Sequence, residues 1–158
     1  MNLHRLLLQR EAQGKPLRIG LIGAGKFGAM YLAQVPRTPG IHLAGIADLS
    51  PANAKSNLAR VGWKPEMSAA ASLDAALRER RTYLGDDWQA LVAHPEIESI
   101  IEATGNPVAA VEHVLGAFRH GKHVVMVTVE GDALCGPLLA KKAAEAGVVY
   151  SLAYGDQP

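Results

Sequence analysis

The sequence predicts an α/β protein whose parallel sheet is doubly wound and has about six strands. Short apolar runs alternate with helical segments along the 158 residues, a pattern typical of parallel sheets. A glycine-rich turn, residues 23–28, joins the first apolar run to a helical segment. A chain of this length forms one domain with a real core.

The first half of the chain contains three predicted strands. Leucines at positions 3, 6 and 7 predict an amphipathic helix over 3–13, which Gly14 and Pro16 end. Ser50 and Pro51 are a typical helix start. The alanine- and arginine-rich stretch before the third strand is interpreted as a helical insertion. The predicted elements are strands 17–22, 41–47 and 81–84, helices 26–35, 51–60 and 69–80, and a loop over 62–68.

The second half repeats the alternation. Asp86 or Asp87 caps one helix, Pro107 fits the first position of another, and Gly121 ends that helix. The predicted elements are helices to residue 94, 107–120 and 133–146, and strands 98–103, 123–129 and 148–153.

The turn Gly23-Ala24-Gly25-Lys26-Phe27-Gly28 and the acid Asp48 have the spacing of a dinucleotide site. Gly23 permits a tight turn, Gly25 lets a diphosphate approach the backbone, and Gly28 allows close packing of the helix. Free N–H groups at the helix start would receive phosphate, and Asp48 would bind ribose hydroxyls. Lys26 faces phosphate or solvent, and Phe27 packs under the cofactor.

The turn Thr104-Gly105-Asn106-Pro107 follows the fourth strand, where nicotinamide would lie. Gly105 permits close approach and Asn106 offers amide contacts, although the turn is also a well-capped helix start. Glu130 and Asp132 follow the fifth strand and are the candidate catalytic pair, for a substrate hydroxyl or a divalent metal. They are equally well explained as acids stabilising a helix N-terminus.

Composition narrows the function. A net charge of +1 gives no argument for a nucleic-acid or membrane partner. One cysteine, Cys135, rules out an internal disulfide framework, and the six histidines show no metal-ligand spacing, so metal ligands stay unknown. The apolar run 6–8 is too short for a signal peptide or a membrane span, which predicts a cytoplasmic protein.

The chain resembles the homoserine-dehydrogenase-like NAD(P)-binding domain. It is most similar to the deoxyxylulose-phosphate-reductoisomerase-like oxidoreductases, which carry a SAF domain in their C-terminal part. The resemblance implies a Rossmann fold, NADPH, a small-molecule substrate and a possible divalent metal in the full-length protein. It also implies a reductive step in isoprenoid-precursor biosynthesis, although related sequences are often called homoserine dehydrogenases. The matching stretches are residues 18–28, 45–50, 101–107, 123–132 and 147–158.

Two features depart from the resemblance. Reductoisomerases have an Asn-Lys-Glu turn after the fifth strand, where this chain has Thr128-Val129-Glu130, so only the acid corresponds. Asp48 favours the free ribose hydroxyl of NAD over the 2′-phosphate of NADP. If the loop rotated, Ser50, Lys55 or Arg60 would compensate for the repulsion between Asp48 and a 2′-phosphate. The choice between NAD and NADP therefore stays open.

The expected organisation is an N-terminal helical extension, 1–16, and a dinucleotide-binding domain, 17–158. The chain is expected to be a fragment that binds cofactor without turnover, because the substrate domain is missing. The face on which that domain would pack is expected to be apolar, which predicts a homo-oligomer. The leading hypothesis is the NAD(P)-binding domain of an oxidoreductase that transfers hydride to a small carbonyl compound. The alternatives are a stand-alone nucleotide-sensing or interaction module and a remnant that binds nothing.

Overall fold

A computed structural model describes residues 2–153, and six strands in it form one sheet. Every strand pairing is parallel, as the sequence predicted. The strands are β1 (Leu17–Ile22), β2 (Ile41–Ala47), β3 (Tyr83–Gly85), β4 (Ser99–Glu102), β5 (His123–Met126) and β6 (Tyr150–Leu152). Their order is β3-β2-β1-β4-β5-β6, which confirms the doubly wound sheet. The order reverses between β1 and β4, and ligands of such sheets bind at the carboxyl ends beside that point.

Helices cover both faces of the sheet. They are α1 (Leu3–Ala12), α2 (Lys26–Leu32), α3 (Pro51–Arg60), α4 (Leu73–Glu79), α5 (Trp88–Ala93), α6 (Pro107–Arg119) and α7 (Val129–Ala146). Two short 3₁₀ segments, Val35–Arg37 and Pro65–Ser68, lie beside α2 and α3. Among the described residues no helix is long and apolar enough to cross a membrane.

Two apolar clusters lie on opposite faces of the sheet. Strand side chains alternate between them, because successive residues of a strand point to opposite faces. Leu21 is in the cluster under α2 and α3, and its neighbour Ile22 is in the cluster under α5, α6 and α7. Ile100 and Ile101 of β4 divide in the same way. Both faces are therefore buried and the sheet is a rigid support for the loops at its edge.

The predicted boundaries need correction around β5. This strand ends at Met126 rather than residue 129, and α7 begins at Val129 rather than residue 133. Cys135 has non-helical backbone angles, φ −148° and ψ 22°, and marks a kink inside α7. Pro137 lies two residues later, and a proline inside a helix removes one backbone hydrogen bond.

Smaller corrections concern α2, α4 and β3. The α2 helix ends at Leu32 and a 3₁₀ turn containing Pro36 follows, since proline cannot continue the ladder. The predicted helix 69–80 shortens to α4, because the Ser72 hydroxyl caps it by accepting from the Ala75 N–H at 3.1 Å. The strand predicted over 81–84 lies at Tyr83–Gly85. Residues 154–158, the last part of the resemblance, lie outside the described residues.

The imidazole of His42 on β2 predicts a pH effect on stability. Burial lowers its pKa from 6.5, and the charges of Arg80 and Arg18 act in the same direction, against a hydrogen bond between Nε2 and the Arg81 carbonyl. His42 therefore binds its proton at a higher pH in the unfolded chain than in the folded one. As a result, the free energy of unfolding falls as pH drops below about 6.5. Urea titrations at several pH values should show a flatter acid slope for His42→Gln; an unchanged slope would exclude this histidine as the cause.

Candidate functional site

The turn after β1 requires glycine at its first position. Gly23 has φ +91°, a region that other residues rarely adopt. A Cβ on Gly23 would also lie 2.7 Å from the carbonyl oxygen of Ala103, at the end of β4. Backbone geometry and close contact together make Gly23 the residue that lets the chain turn tightly above the sheet.

The second and third glycines have different surroundings. A Cβ on Gly25 would meet no atom within 4 Å, whereas a Cβ on Gly28 would overlap the carbonyl oxygen of Gly23. Gly28 therefore holds α2 against the turn, and Gly25 leaves the space above it open. The N–H groups of residues 25–28 have no acceptor among the described residues. Open space bordered by free N–H groups fits the diphosphate of a dinucleotide.

Asp48, directly after β2, is held beside this turn by both carboxylate oxygens. Oδ2 accepts a hydrogen bond from the Ala24 N–H at 2.8 Å, and Oδ1 accepts from the Ser50 N–H at 2.8 Å. The carboxylate is therefore fixed at the point where a ribose would follow the diphosphate. Each oxygen retains a further lone pair for a ligand hydroxyl.

A cleft of about 550 Å³ runs from this turn across the carboxyl ends of β3, β2, β1 and β4. Its ionisable lining, apart from one histidine, consists of the carboxylates of Asp48, Asp86 and Glu112. No lysine or arginine lines the cleft within the part of the chain that the structure describes. The full lining is Ile22, Gly23, Gly25, Ala47, Asp48, Leu49, Asp86, Trp88, Thr104, Asn106, Ala109, Glu112 and His113.

The predicted turn over residues 104–107 separates this cleft from a second, smaller cavity. Thr104 and Asn106 line the cleft, while Gly105, with φ +71°, lines a cavity of about 90 Å³ over β4 and β5. Asn106 caps α6 by accepting from the N–H groups of Val108 and Ala109 at 3.1 Å. Pro107 begins α6 as predicted. The turn thus borders both places where halves of a dinucleotide would lie.

The two candidate catalytic acids are separated by their position in the first turn of α7. Glu130 is exposed and lines the smaller cavity together with Phe27 of α2. Asp132 lies behind it, where it accepts a hydrogen bond from the Tyr150 hydroxyl at 2.7 Å. Burial, then this hydrogen bond, raise the pKa of Tyr150. The structure brings Glu130 to a cavity and Asp132 to neither cavity, so the two do not form a joint site.

The remaining predicted groups are not concentrated at one point. Lys26 is exposed and lines neither cavity. No group of three or more histidine, cysteine, aspartate or glutamate side chains within residues 2–153 is arranged to hold a metal ion. Of the predicted site residues, the structure therefore brings together those of the glycine turn, Asp48 and the 104–107 turn.

Sequence reasoning missed a buried pair beside the cleft. Glu102, the last residue of β4, is fully buried, and its Oε1 lies 3.2 Å from Nδ1 of His113 on α6. Oε2 of Glu102 is buried and has no hydrogen-bond partner in the described structure. The signal was present in the sequence: one acid directly after two isoleucines in a predicted strand, and one histidine on the apolar face of the next helix.

Comparisons with known proteins agree with this geometry. Residues 17–127 match the GFO/IDH/MocA oxidoreductase family with its NAD-binding Rossmann fold. No curated protein sequence matches the chain. The NADP⁺ and biliverdin complex of biliverdin reductase from Synechocystis sp. PCC 6803 is 25% identical, with a TM-score of 0.60 over 87% of this chain and 37% of that one.

Two further solved structures share the fold. A homoserine dehydrogenase from Thiobacillus denitrificans is 23% identical, with a TM-score of 0.67 over 87% of this chain and 29% of that one. An NAD binding oxidoreductase from Klebsiella pneumoniae is 24% identical, with a TM-score of 0.59 over 88% of this chain and 34% of that one. This chain therefore spans only 29–37% of the length of these three structures. With the family match covering most of the sheet and the glycine turn, the chain belongs to the GFO/IDH/MocA oxidoreductases.

Proposed function

We propose that this chain is the cofactor-binding domain of an NAD(H)-dependent oxidoreductase that transfers hydride to a small carbonyl compound or, in reverse, from the corresponding alcohol. The observation that carries the proposal is the division of roles among three glycines: a positive φ at Gly23, open space at Gly25 and close contact at Gly28. In this arrangement the diphosphate lies over the free N–H groups of 25–28 and the adenosine ribose lies at Asp48. The reactive hydride comes from the cofactor; the chain supplies position and electrostatics.

The preference for NAD(H) over NADP(H) follows from the charge of the cleft. A 2′-phosphate beside Asp48 would meet that carboxylate directly, in a cleft whose described lining holds two further carboxylates and no lysine or arginine. Lys55 and Arg60, the proposed compensating cations, are exposed on α3 and line no part of the cleft. Both Asp48 oxygens are held by backbone N–H groups, which opposes the loop rotation that compensation requires. This departs from the NADPH that the reductoisomerase-like resemblance implies.

A second domain would complete the site. The smaller cavity over β4 and β5 measures only about 90 Å³, and two exposed apolar side chains, Phe27 and Leu134, lie on α2 and α7, the helices that line it. A substrate-binding domain or a second copy covering this region would exclude water from the nicotinamide and bring a substrate to Glu130. The reductoisomerase-like and homoserine-dehydrogenase-like substrates stay predictions of the resemblance.

Calorimetric titration of the purified chain with NADH and NADPH tests the proposal. We expect NADH to bind at least about tenfold more tightly, equivalent to about 1.4 kcal/mol. Asp48→Asn removes the charge and keeps one acceptor oxygen. This variant should bring the dissociation constants of NADH and NADPH closer together by improving NADPH binding. Glu145→Gln, an exposed acid on α7 outside the cleft, is the matched control. Equal binding of both cofactors would contradict the preference, and no binding of either would contradict the function.

A further inference from the structure

The carboxylate of Glu102 receives three donors on one oxygen. Oε1 accepts from the Thr104 hydroxyl at 2.6 Å, from the Thr104 N–H at 3.3 Å and from Nδ1 of His113 at 3.2 Å. The Thr104 hydroxyl itself accepts from the Asn106 N–H at 3.2 Å, so its single proton is directed at Glu102. Glu102 therefore acts as an acceptor toward His113, and it connects that ring to the 104–107 turn.

This contact fixes the two nitrogens of His113 in different roles. Of the two neutral tautomers, an acceptor beside Nδ1 selects the one with hydrogen on Nδ1, which leaves a lone pair on Nε2. Nε2 makes no hydrogen bond within residues 2–153 and is not among the buried polar atoms without a partner, so it reaches solvent. His113 is otherwise buried, and the surface that it does expose lines the cleft. Nε2 is thus an acceptor presented to a ligand.

The orientation of His113 is also fixed by packing. The ring of Trp88 on α5 lies edge-on to the imidazole, with centroids 4.7 Å apart and an interplanar angle of 62°. Trp88 in turn packs against Gly116, where an added Cβ would lie 2.6 Å from the indole ring. With Glu102 on one side and Trp88 on the other, Nε2 has little freedom to turn away from the cleft.

The end of the cleft beside His113 is rich in acceptors. Its lining includes the carboxylates of Asp86 and Glu112 and the flat surface of Trp88, whereas the hydroxyl proton of Thr104 is already donated to Glu102. A planar base fits beside the indole ring. Such an end favours a base that presents a hydrogen-bond donor and disfavours one that presents a carbonyl oxygen.

We propose that His113 is a specificity residue for the nucleobase, that its Nε2 accepts a hydrogen bond from the exocyclic 6-amino group of adenine, and that Glu102 is the positioning residue. The inference rests on the proposed function, because it requires the adenosine half of a dinucleotide in this cleft. The cleft should therefore reject nicotinamide hypoxanthine dinucleotide. In this analogue an oxo group replaces the 6-amino group of the base, and the rest of the molecule outside the base is unchanged.

The test compares the dissociation constants of NADH and reduced nicotinamide hypoxanthine dinucleotide by calorimetry, at about pH 8, above the range in which imidazoles ordinarily titrate. We expect the unmodified chain to bind NADH about tenfold more tightly, because the oxo group meets a lone pair instead of supplying a donor. His113→Asn places an amide nitrogen near the position of Nδ1, which keeps a donor for Glu102 and deletes Nε2. This variant should bind the two ligands within about threefold of each other.

Glu102→Gln provides a second variant, in case the first does not fold. Its amide removes the selection of one tautomer, so Nε2 gains access to a hydrogen and the preference for adenine should fall although His113 is intact. A merely structural role for Glu102 would weaken both ligands equally and leave their ratio unchanged. His120→Asn, at the exposed C-terminal end of the same helix, is the control and should retain the full preference.

The outcomes separate the two proposals. Tight NADH binding without discrimination in the unmodified chain, or discrimination that survives His113→Asn, would overturn the role of His113 and leave the proposed function standing. Failure of NADH to bind at all would overturn the proposed function itself. A preference for adenine that is lost in His113→Asn and retained in the control supports the inference.

Discussion

Gly25→Val is expected to abolish NADH binding while the fold keeps its stability. The valine side chain would occupy the open space above the turn and cover the N–H groups of 25–28, where the diphosphate lies in our proposal. Gly25 has φ −71° and ψ −150°, an extended conformation that other residues adopt, and its Cβ would meet no protein atom within 4 Å. We expect at least about a hundredfold loss of affinity, equivalent to about 2.7 kcal/mol.

Calorimetry with NADH and a thermal melt of the same sample would check this expectation. Ala140→Val, at an exposed position on α7, also introduces a valine, away from the cleft, and should bind NADH normally. If Gly25→Val bound NADH as well as the unmodified chain does, the diphosphate could not lie at this turn. A large fall in melting temperature would instead mean that the open space is filled in solution by another part of the protein.

Gly28→Ala should differ from Gly25→Val, because it should lower the stability of the fold as well as the affinity for NADH. Its Cβ would overlap the carbonyl oxygen of Gly23, a backbone atom that cannot rotate away, so the turn and the start of α2 must separate. The expected net destabilisation is up to about 2 kcal/mol, since overpacking costs up to about 3 kcal/mol and is offset by a gain in helix propensity of about 1 kcal/mol.

Urea unfolding measures this loss directly. Met30→Ala, an exposed site on the same helix, should change the free energy of unfolding by less than about 0.5 kcal/mol and is the appropriate comparison. A Gly28→Ala protein of undiminished stability would show that α2 and the turn are not in the close contact described above.

The glycine turn and its flanking strands could be predicted from the sequence because local chemistry determines them. Strands β1 and β2 have the predicted bounds, and so do the starts of α2, α3 and α6. Each of these helix starts has a local signal: Gly25 before α2, Ser50 and Pro51 at α3, and Asn106 and Pro107 at α6. The residues at each helix start cap the helix with their own side chains or, for glycine, with their backbone freedom. No contact with a distant part of the chain is needed.

The region after β5 could not be predicted in the same way. The run Val124 to Val129 is apolar except for Thr128 and is rich in β-branched residues, which predicts one strand, yet pairing with β4 and β6 ends at Met126. The first turn of α7 contains Gly131, a poor helix former in isolation. Contact of α6 with α7 across the sheet face, rather than local preference, stabilises helix there. Tertiary packing therefore outweighed the pattern.

The Glu102–His113 pair illustrates a similar limit at the candidate site. The two residues are eleven positions apart, on a strand and on the helix after it, and only the packing of α6 on β4 brings Oε1 to Nδ1. Interpreting the histidine as structural was compatible with its burial. Its second nitrogen becomes relevant only once the cleft on its other side is known.

The N-terminal helix is held by forces unlike those in the rest of the molecule. No residue of α1 is buried, and its main tie to the sheet is the paired hydrogen bond of Arg10 to Glu98, at 2.7 and 2.8 Å. Every residue that lines the cleft comes from position 22 onward. Fusions to the leading segment, or its removal, should consequently leave the proposed binding of the coenzyme unchanged.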